Sequence, residues 1–285
     1  MYLKSSKKKY LQELFSNGAN IEYWESIYSR RDFAGFILQR RMYQALSWLG
    51  NLNLSKDSRV LDVGCGPGVM VKEIAGKGHR VFGMDYSYNM IQKAEARCNV
   101  HKRLNLVFLQ GDIESLPFKE SVFDVILCLG VVSYLKSEQK ALQEMSRVLK
   151  SGGTLILSIL NRTSLTKWLD PSAFVRRKIN KILDNKVVKS YFIPSLRNSL
   201  RIAGFTELDY AAVQYGPFTI FGWTIFPSRL NINITNFIEK FSRIPFVKSL
   251  GNMCVFKLRK KVRPCSLTGE GSPEADSIPA SAAIL

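Results

Sequence analysis

The residues best suited to chemistry form a glycine-rich loop behind an acid, in the stretch VLDVGCGPGVM at positions 60–70. Asp62 ends a short apolar run, and Gly64, Gly66 and Gly68 follow at every second position. Glycines let the backbone turn sharply and approach a ligand closely. Dinucleotide-binding loops use the spacing GxGxxG instead, and a carboxylate here would repel a phosphate. The loop therefore favours a ligand end that carries an ammonium group, with a purely structural strand-to-helix corner as the alternative.

Two further acids follow the next two apolar runs of the chain. Asp85 lies in GMDYS, at about the distance from the glycine loop where a carboxylate usually meets ribose hydroxyls. Asp112 lies in GDIESLPF and could accept a hydrogen bond from the amino group of a base, with Ile113 packed on the face of that base. Together with Asp62, these acids fit a cationic nucleoside ligand without phosphates.

Alternating strands and helices are predicted to hold these acids at one edge of a sheet. The apolar patterns predict strands at 59–63, 80–84, 106–110, 122–129 and 154–160, and helices at 69–77, 89–99 and 138–149. The glycines of KSGG at 150–153 are expected to stop the last of these helices. Such alternation implies a parallel sheet covered on both faces by right-handed crossovers. Ligands of such sheets bind outside the carboxyl ends of the strands.

The flanking segments suggest four regions. We expect an N-terminal helical cap at 1–50 with a helix over 20–50, and the ligand-binding core at 51–160. Residues 161–262 carry the second half of the sheet, with a helix at 194–203, strands at 206–214 and 252–258, and an amphipathic helix around 230–241. The tail at 263–285 has few large apolar groups and is expected to be disordered.

Four stretches of the core form a combined signature: VLDVGCGPG, GMDYSYNMIQKA, GDIESLPFKESVFDVI and LQEMSRVLKSGGTLILS. Over residues 55–160 they resemble the class I S-adenosylmethionine-dependent methyltransferases, and in particular the small-molecule branch of the ubiquinone and menaquinone biosynthesis enzymes. FIPSLRNSLRIAGF is a further match. The resemblance implies an α/β fold with a doubly wound, mostly parallel, seven-stranded Rossmann-like sheet and lid insertions. The strand at 252–258 fits the antiparallel seventh strand, next to the edge.

The resemblance also assigns the cofactor, S-adenosylmethionine, to particular residues. No metal site is expected. Asp62, Gly64 and Gly66 would line the methionine end, and Asp85 would hold the ribose hydroxyls. The adenine would be bound or flanked by Tyr86, Asp112 and Ile113, and the site would be closed near the sulfonium by Leu129 and Gly130. Cys65 is interpreted as a small packing residue of the loop. Gly68 and Met90 complete the expected cofactor-binding set.

Methyl transfer from a sulfonium depends mainly on alignment and desolvation, although a hydroxyl or carbon acceptor usually also loses a proton. The two histidines, His79 and His101, precede predicted strands and are therefore expected on the wrong edge of the sheet. Candidates on the ligand side are Ser133, Tyr134, Asn161, Arg162 and Tyr215, of which Tyr134 is the preferred catalytic residue. The stretch LCLGVVSYL departs from the Asn/Asp-Pro-Pro-aromatic motif of nucleic-acid amino methyltransferases, which speaks against a base as acceptor.

The net charge of +18 is concentrated in residues 161–265, which hold 19 basic and 5 acidic side chains. Two insertions there, a basic one at 161–190 and an aromatic one at 215–249, are expected on the ligand side. They predict either a lid packed on the protein's own core or a cap for a lipophilic acceptor that contacts an anionic membrane. The expected substrate is therefore small and lipophilic or anionic, with O- or C-methylation favoured.

Scattered cysteines, without metal-ligand spacing, suit a reducing compartment. The chain shows no signal-peptide pattern and no run of roughly 20 apolar residues. We therefore expect a cytoplasmic protein that is at most peripheral at a membrane. The rival functions are an RNA- or protein-directed methyltransferase that uses the basic third, and a nicotinamide-dependent oxidoreductase. The aromatics are not interleaved with the basic run, so a nucleic-acid partner is not expected. The oligomeric state is not predicted.

Overall fold

The computed structural model describes residues 2–98, 105–169, 188–220 and 223–262, and a seven-stranded sheet runs through its centre. The strands along the chain are β1 (Arg59–Val63), β2 (Arg80–Asp85), β3 (Leu106–Gln110), β4 (Phe123–Leu129), β5 (Leu149–Leu160), β6 (Phe205–Gln214), β7 (Thr219–Ile220), β8 (Trp223–Thr224) and β9 (Met253–Lys260). The sheet has the order β3-β2-β1-β4-β5-β9-β6, and β7 and β8 form a separate antiparallel pair.

Strands β1 to β5 pair in parallel, and β9 lies antiparallel between β5 and β6. Strand order reverses between β1 and β4, because β2 and β3 lie on one side of β1 and β5 lies beyond β4. The fold expected from the sequence, a mostly parallel sheet with one antiparallel strand next to the edge, is confirmed. The apolar strands β1 and β4 are almost completely buried, as strands covered on both faces must be.

Ten α-helices are described around the sheet: α1 (Tyr2–Ser16), α2 (Gly18–Ser26), α3 (Phe33–Gly50), α4 (Val69–Ala75), α5 (Tyr88–Cys98), α6 (Gln139–Val148), α7 (Leu165–Leu169), α8 (Ile193–Ile202), α9 (Ser228–Glu239) and α10 (Pro245–Ser249). Apolar side chains form two buried clusters, which include Phe82, Ile126 and Phe256 in one and Val60, Leu127 and Val255 in the other. Neighbouring residues of one strand, such as Ile126 and Leu127, belong to different clusters, so both faces of the sheet are packed.

The N-terminal region differs from the single helix expected over residues 20–50. The structure divides it into α2, a 3-10 turn at Ile27–Ser29 and α3, and α1 precedes them. Asp32 causes the break, because its backbone is extended and its side chain accepts a hydrogen bond from the backbone N–H of Gly35. This is an N-cap, which starts a new helix at Phe33. Hydrophobic spacing alone does not reveal such a break.

The glycine stop expected at residues 150–153 is also different in the structure. Helix α6 ends at Val148, and the KSGG residues belong to β5, which begins at Leu149. The register between β4 and β5 shifts between Phe123 and Val125, where Leu149 pairs with Phe123 and Thr154 with Val125. The additional residues of β5 form a bulge at this shift, so the glycines bend a strand instead of following a helix.

Helix α9 confirms the helix expected around 230–241, but its apolar residues are divided between the core, against which Ile238 packs, and the solvent. Asn231 and Thr235 face inward and are buried, whereas Leu230 and Phe237 are exposed, Phe237 by 61%. Asn231 explains the orientation, because its amide donates to the backbone oxygen of Phe226 and accepts from the backbone N–H of Phe218. The helix therefore presents apolar side chains to solvent.

Most of the basic insertion expected at 161–190, namely residues 170–187, lies outside the described residues. The whole of the tail expected at 263–285 also lies outside them. In the described part of the chain, no helix combines the length and the apolar character that a membrane crossing requires.

Candidate functional site

A cavity of about 170 Å³ lies where the strand order reverses, outside the carboxyl ends of β1, β2 and β4. Doubly wound sheets place their ligands at such a point. One wall, here called the strand wall, consists of the glycine loop and the residues that follow β2, β3 and β4. The opposite wall, here called the helical wall, is contributed by residues from α1, α2, the 3-10 turn and α3. The two walls differ in their chemistry.

The glycine loop of the strand wall is held by backbone hydrogen bonds. Gly64 and Cys65 both donate to the backbone oxygen of Met84, over 2.7 and 3.0 Å. The φ angle of Gly64 is +73°, and a Cβ atom there would lie 2.2 Å from a methyl carbon of Val131. Only glycine therefore allows the loop to pack this closely against the segment after β4.

Asp85 connects the second strand to the same loop. Its carboxylate accepts hydrogen bonds from the backbone N–H groups of Gly66 and Ser87, each over 2.9 Å. Burial raises the pKa of Asp85, and the hydrogen bonds from Ser87, Gly66 and Tyr86 oppose that rise. The side chain thus fixes the loop and still presents its carboxylate to the cavity.

Asp62 is the most strongly perturbed acid of the strand wall. Burial raises its pKa to about 7, while the charge of Arg41 lowers the pKa and that of Asp85 raises it. Burial disfavours the charged form of such a carboxylate, and a cationic group beside it stabilises that form. Asp62 is therefore suited to an ammonium group.

Arg41 of α3 supplies the cation on the helical wall. The residue is only 5% exposed, and one of its terminal nitrogens donates to the hydroxyl of Tyr28 over 2.9 Å. Its Nε is buried and has no hydrogen-bond partner. Gly130, with φ +85°, makes room for the guanidinium, because a Cβ atom there would lie 2.5 Å from Nη1. A buried guanidinium that lines a cavity is suited to a carboxylate or another oxyanion.

The third acid, Asp112, lies at the other end of the cavity with Ile113 beside it. Its carboxylate accepts a hydrogen bond from the backbone N–H of Glu114 over 2.9 Å. It also forms an ion pair with Lys8 of α1, and Lys8 reaches Glu114 over 2.7 Å. The acidic end of the strand wall is therefore covered by a lysine from the helical wall.

Aromatic and aliphatic side chains complete the helical wall and the space in front of it. The ring of Phe15 meets that of Tyr134 edge-on, with centroids 5.2 Å apart. Burial raises the pKa of Tyr134, although the charge of Arg41 lowers it. The hydroxyl therefore stays protonated near neutral pH and is suited to donating a hydrogen bond. The other apolar lining residues of this part are Leu11, Trp24, Val131 and Leu135.

The structure brings nearly all predicted site residues to this cavity. Its lining includes Asp62, Gly64, Cys65, Gly66, Asp85, Tyr86, Met90, Asp112, Ile113, Leu129, Gly130 and Tyr134. Gly68 is the exception, because it precedes α4 and a Cβ atom there would lie 2.9 Å from Cβ of Ala94. Gly68 therefore serves the packing of α4 against α5. Burial raises the pKa of the Cys65 thiol, which agrees with a packing role.

The other candidates for proton removal do not line the cavity. Asn161 is fully buried, and its amide donates to the backbone oxygens of Ser249 and Gly251. Tyr215 is also fully buried, and Ser133 is buried beside Tyr134. Arg162 is exposed and pairs through its backbone with Tyr191. His79 precedes β2 at the amino end of that strand, and His101 lies outside the described residues.

Sequence reasoning missed the residues of the helical wall, among them Lys8, Phe15, Trp24, Tyr28 and Arg41. They come from four separate elements and share no motif. The signals present were a basic N-terminus and a pair of arginines in QRRM, but neither indicates which side chain faces a cavity.

Comparison with known proteins agrees with this geometry. Residues 61–157 match the family model described as a methyltransferase domain. A demethylmenaquinone methyltransferase of Geobacillus sp. (strain WCH70) is 24% identical over 214 residues, which cover 68% of this chain and 91% of that protein. A malonyl-[acyl-carrier protein] O-methyltransferase of Enterobacter lignolyticus (strain SCF1) is 36% identical over 128 residues, which cover 45% of this chain and 48% of that protein.

Among solved structures, the magnesium protoporphyrin IX methyltransferase of Synechocystis PCC 6803 with bound SAH is similar in fold. Its TM-score is 0.61 at 17% identity, and the match covers 89% of this chain and all of that one. The matched domain spans the strand wall, from β1 into β5. Together with the sheet order and the curated relatives, this match supports a class I S-adenosylmethionine-dependent methyltransferase of the small-molecule type.

Proposed function

We propose that the cofactor lies along the strand wall with its methionine end near Asp62 and its adenine near Asp112. Asp85 holds the ribose hydroxyls between them, and Ile113 packs on the adenine. The proposal is supported by the three acids that converge on one cavity from the ends of consecutive strands. Donor and acceptor chemistry also agree, because ribose and adenine offer hydroxyl and amino donors to carboxylates.

The two charges of the methionine end match the two charged groups at that end of the cavity. Asp62 receives the ammonium group, and Arg41, which lines the cavity, receives the carboxylate. The observation that carries this assignment is that buried Asp62 and buried Arg41 line the same cavity, so the ammonium and the carboxylate each meet a group of opposite charge.

Bound S-adenosylmethionine supplies an electrophilic methyl group on a sulfonium. The chain itself contributes alignment and the exclusion of water, through the aromatic and aliphatic residues around Tyr134. A reaction between a cation and an anionic or polarised acceptor is favoured when water is removed from both. Tyr134, whose raised pKa keeps its hydroxyl protonated, orients the acceptor as a hydrogen-bond donor.

We infer that the acceptor is small, and lipophilic or anionic, and that an oxygen or carbon atom is methylated. The apolar part of the cavity supports a lipophilic acceptor. The described lining contains no histidine, which favours an acceptor that is already acidic or nucleophilic. Relatives named for demethylmenaquinone and for malonyl-[acyl-carrier protein] support the same class of small acceptor.

Two experiments test this function. Calorimetry with S-adenosylhomocysteine and with NAD should give binding of the former alone; binding of NAD alone would instead support a nicotinamide-dependent oxidoreductase. Untargeted metabolite and lipid profiling of a deletion strain should then reveal a compound lighter by one methyl group. A deletion strain whose metabolites and lipids are unchanged but whose RNA or protein has lost a methyl group would support the macromolecular alternative.

We also propose that the protein works at an anionic membrane, which it contacts through a surface here called the docking face. This face consists of the exposed residues Leu230, Phe237, Phe241, Ile244 and Phe246 with Arg229, Lys240 and Arg243. Phe246 is 71% exposed, and the rings of Phe237 and Phe241 are 5.4 Å apart. So many large apolar side chains on one short segment are unusual on a soluble surface.

The charge of the docking face selects the partner. Glu239 is the one acid in residues 223–250, and Arg40 of α3 forms an ion pair with it. Exposed aromatics flanked by basic residues fit a bilayer with acidic headgroups, where the rings enter the interface and the cations meet the phosphates.

Vesicle flotation tests the docking face. The wild-type protein should float with vesicles of an anionic lipid at low salt and much less with neutral vesicles. Changing Phe237, Phe241 and Phe246 to Ser should lower the partition at least about tenfold. The control changes Ile202 and Leu208 to Ser, since both are exposed apolar residues elsewhere. Absence of wild-type flotation, or equal partition of the two variants, would contradict the proposal.

A further inference from the structure

Helix α1 covers the cofactor cavity with one face. Lys8, Leu11 and Phe15 are three and four residues apart, so they lie on the same side of the helix. All three line the cavity. They extend from the acidic end, where Lys8 meets Asp112, to the ring of Tyr134, which Phe15 contacts. One short helix thus covers both ends of the cofactor site.

The C-terminal end of α1 is attached to the strand wall by two hydrogen bonds. The hydroxyl of Ser87 donates to the backbone oxygen of Phe15, and the amide of Asn89 donates to that of Ser16, each over 3.0 Å. Asn17 then starts α2 by accepting a hydrogen bond from Ala19. This end of the helix is therefore fixed relative to Asp85 and the loop after it. It is the end at which a hinge for α1 would lie.

Lys8 fastens the helix about 10 Å farther along, two turns from Phe15. Its ammonium group forms ion pairs with both Asp112 and Glu114. Burial disfavours the charge of Lys8, but the hydrogen bonds and charges of these two acids outweigh it and raise the pKa of Lys8. The side chains of all three residues are partly exposed, so salt can screen the contact.

We propose that α1 is a lid over the cofactor and that Lys8 is the residue that latches it closed. The inference rests on the proposed cofactor site, because Asp112 is the acid assigned to the adenine. Glu114 allows the lid to stay closed while the adenine amine binds, since Lys8 retains this second partner. Lys8 is thus a positioning residue that acts through the lid, and it controls how long the cofactor product stays bound.

Stopped-flow measurement of S-adenosylhomocysteine dissociation tests the latch. Lys8→Ala should raise the dissociation rate constant about fivefold at low salt, the effect expected for a partly exposed ion pair. Added NaCl should raise the wild-type rate towards that of the variant, whereas the variant should respond little. Lys8→Arg should restore slow dissociation. Lys9→Ala is the matched control, because Lys9 is the exposed neighbour on the same helix.

A second measurement follows the lid itself. Amide hydrogen exchange of residues 8–16 should be faster in Lys8→Ala than in Lys9→Ala, both with and without S-adenosylhomocysteine. Equal dissociation and equal exchange in the two variants would overturn the latch and leave the cofactor site intact. A wild-type protein that does not bind S-adenosylhomocysteine would instead overturn the cofactor site, and the lid with it.

Discussion

The two walls of the cavity are built from different kinds of structure and carry opposite charges. The strand wall consists of the carboxyl ends of parallel strands and the turns that follow them, and it supplies Asp62, Asp85 and Asp112. The helical wall consists of side chains from elements near the N-terminus, and it supplies Lys8 and Arg41 together with most of the aromatic rings. All three acids thus lie on one side and both cations on the other, while apolar side chains line both walls.

This difference separates two tasks. A turn after a strand has a fixed backbone position, so it is suited to recognising a part of the ligand that never changes. Helices packed over the sheet can move as units and can change their side chains without disturbing the sheet. In our proposals, the strand wall accordingly binds the ammonium group, the ribose and the adenine of the constant cofactor. The helical wall closes the site, supplies Arg41 for the methionine carboxylate and shapes part of the space for the acceptor.

The strongest test of the strand wall compares two glycines. Gly66 and Gly78 both have positive φ, and a Cβ atom would meet no heavy atom within 4 Å at either position. Valine should therefore strain the backbone similarly at both, by about 1–2 kcal/mol. Gly66→Val should also weaken S-adenosylhomocysteine binding at least about 100-fold, because it places a side chain in the cavity and disturbs the hydrogen bond to Asp85. Calorimetry and thermal unfolding measure the two effects, and equal binding by the variants would remove the cofactor from this wall.

The next test separates two neighbouring arginines of the helical wall. Arg41→Gln should weaken S-adenosylhomocysteine binding about 30-fold, the loss expected for a charged hydrogen bond. It should leave methylthioadenosine binding unchanged, since that ligand has no carboxylate. Arg40→Gln is the control, because Arg40 pairs with Glu239 and does not line the cavity. Equal losses for both ligands would mean that Arg41 supports the cavity without reading the methionine end.

The effect of pH follows from Asp62. Its pKa of about 7 means that the carboxylate is mostly protonated at pH 6 and mostly charged at pH 8. Because the ammonium group needs the charged form, affinity for S-adenosylhomocysteine should rise about tenfold over this interval. The same raised pKa means that Asp62 destabilises the unliganded fold increasingly as pH rises from about 4 to 7. Calorimetry across pH should show this slope and its loss in Asp62→Asn; an unchanged slope in the variant would exclude Asp62.

The smallest expected effect concerns the contact between the walls. Tyr134→Ala removes the ring that Phe15 meets and should weaken S-adenosylhomocysteine binding about fivefold. Tyr134→Phe keeps the ring and should stay within about twofold of the wild type. If both substitutions weakened binding equally, the hydroxyl of Tyr134 would contribute to cofactor binding and the ring contact would not.

The site residues of the strand wall could be predicted from the sequence, whereas those of the helical wall could not. Asp62, Asp85 and Asp112 were predictable because each lies at or just after the carboxyl end of an apolar strand, and parallel strands bring their carboxyl ends together without further information. Arg41 was not predictable. Helical spacing shows which residues share a face of α3, but it does not show which part of the protein that face packs against. Helix α9 shows the same limit, since its spacing predicts two faces, and only the bonds of Asn231 with Phe218 and Phe226 decide that Leu230 and Phe237 point outward.

The position of β9 has a consequence for how this chain is made. Strand β6 is hydrogen-bonded to β9 and not to β5, so it has no sheet partner until residues 253–260 are available. During synthesis, the parallel strands β1 to β5 can assemble as they emerge, whereas β6 must wait for almost the whole described chain. The cofactor cavity belongs to the part that can form early, and the order of synthesis therefore places completion of the sheet edge last.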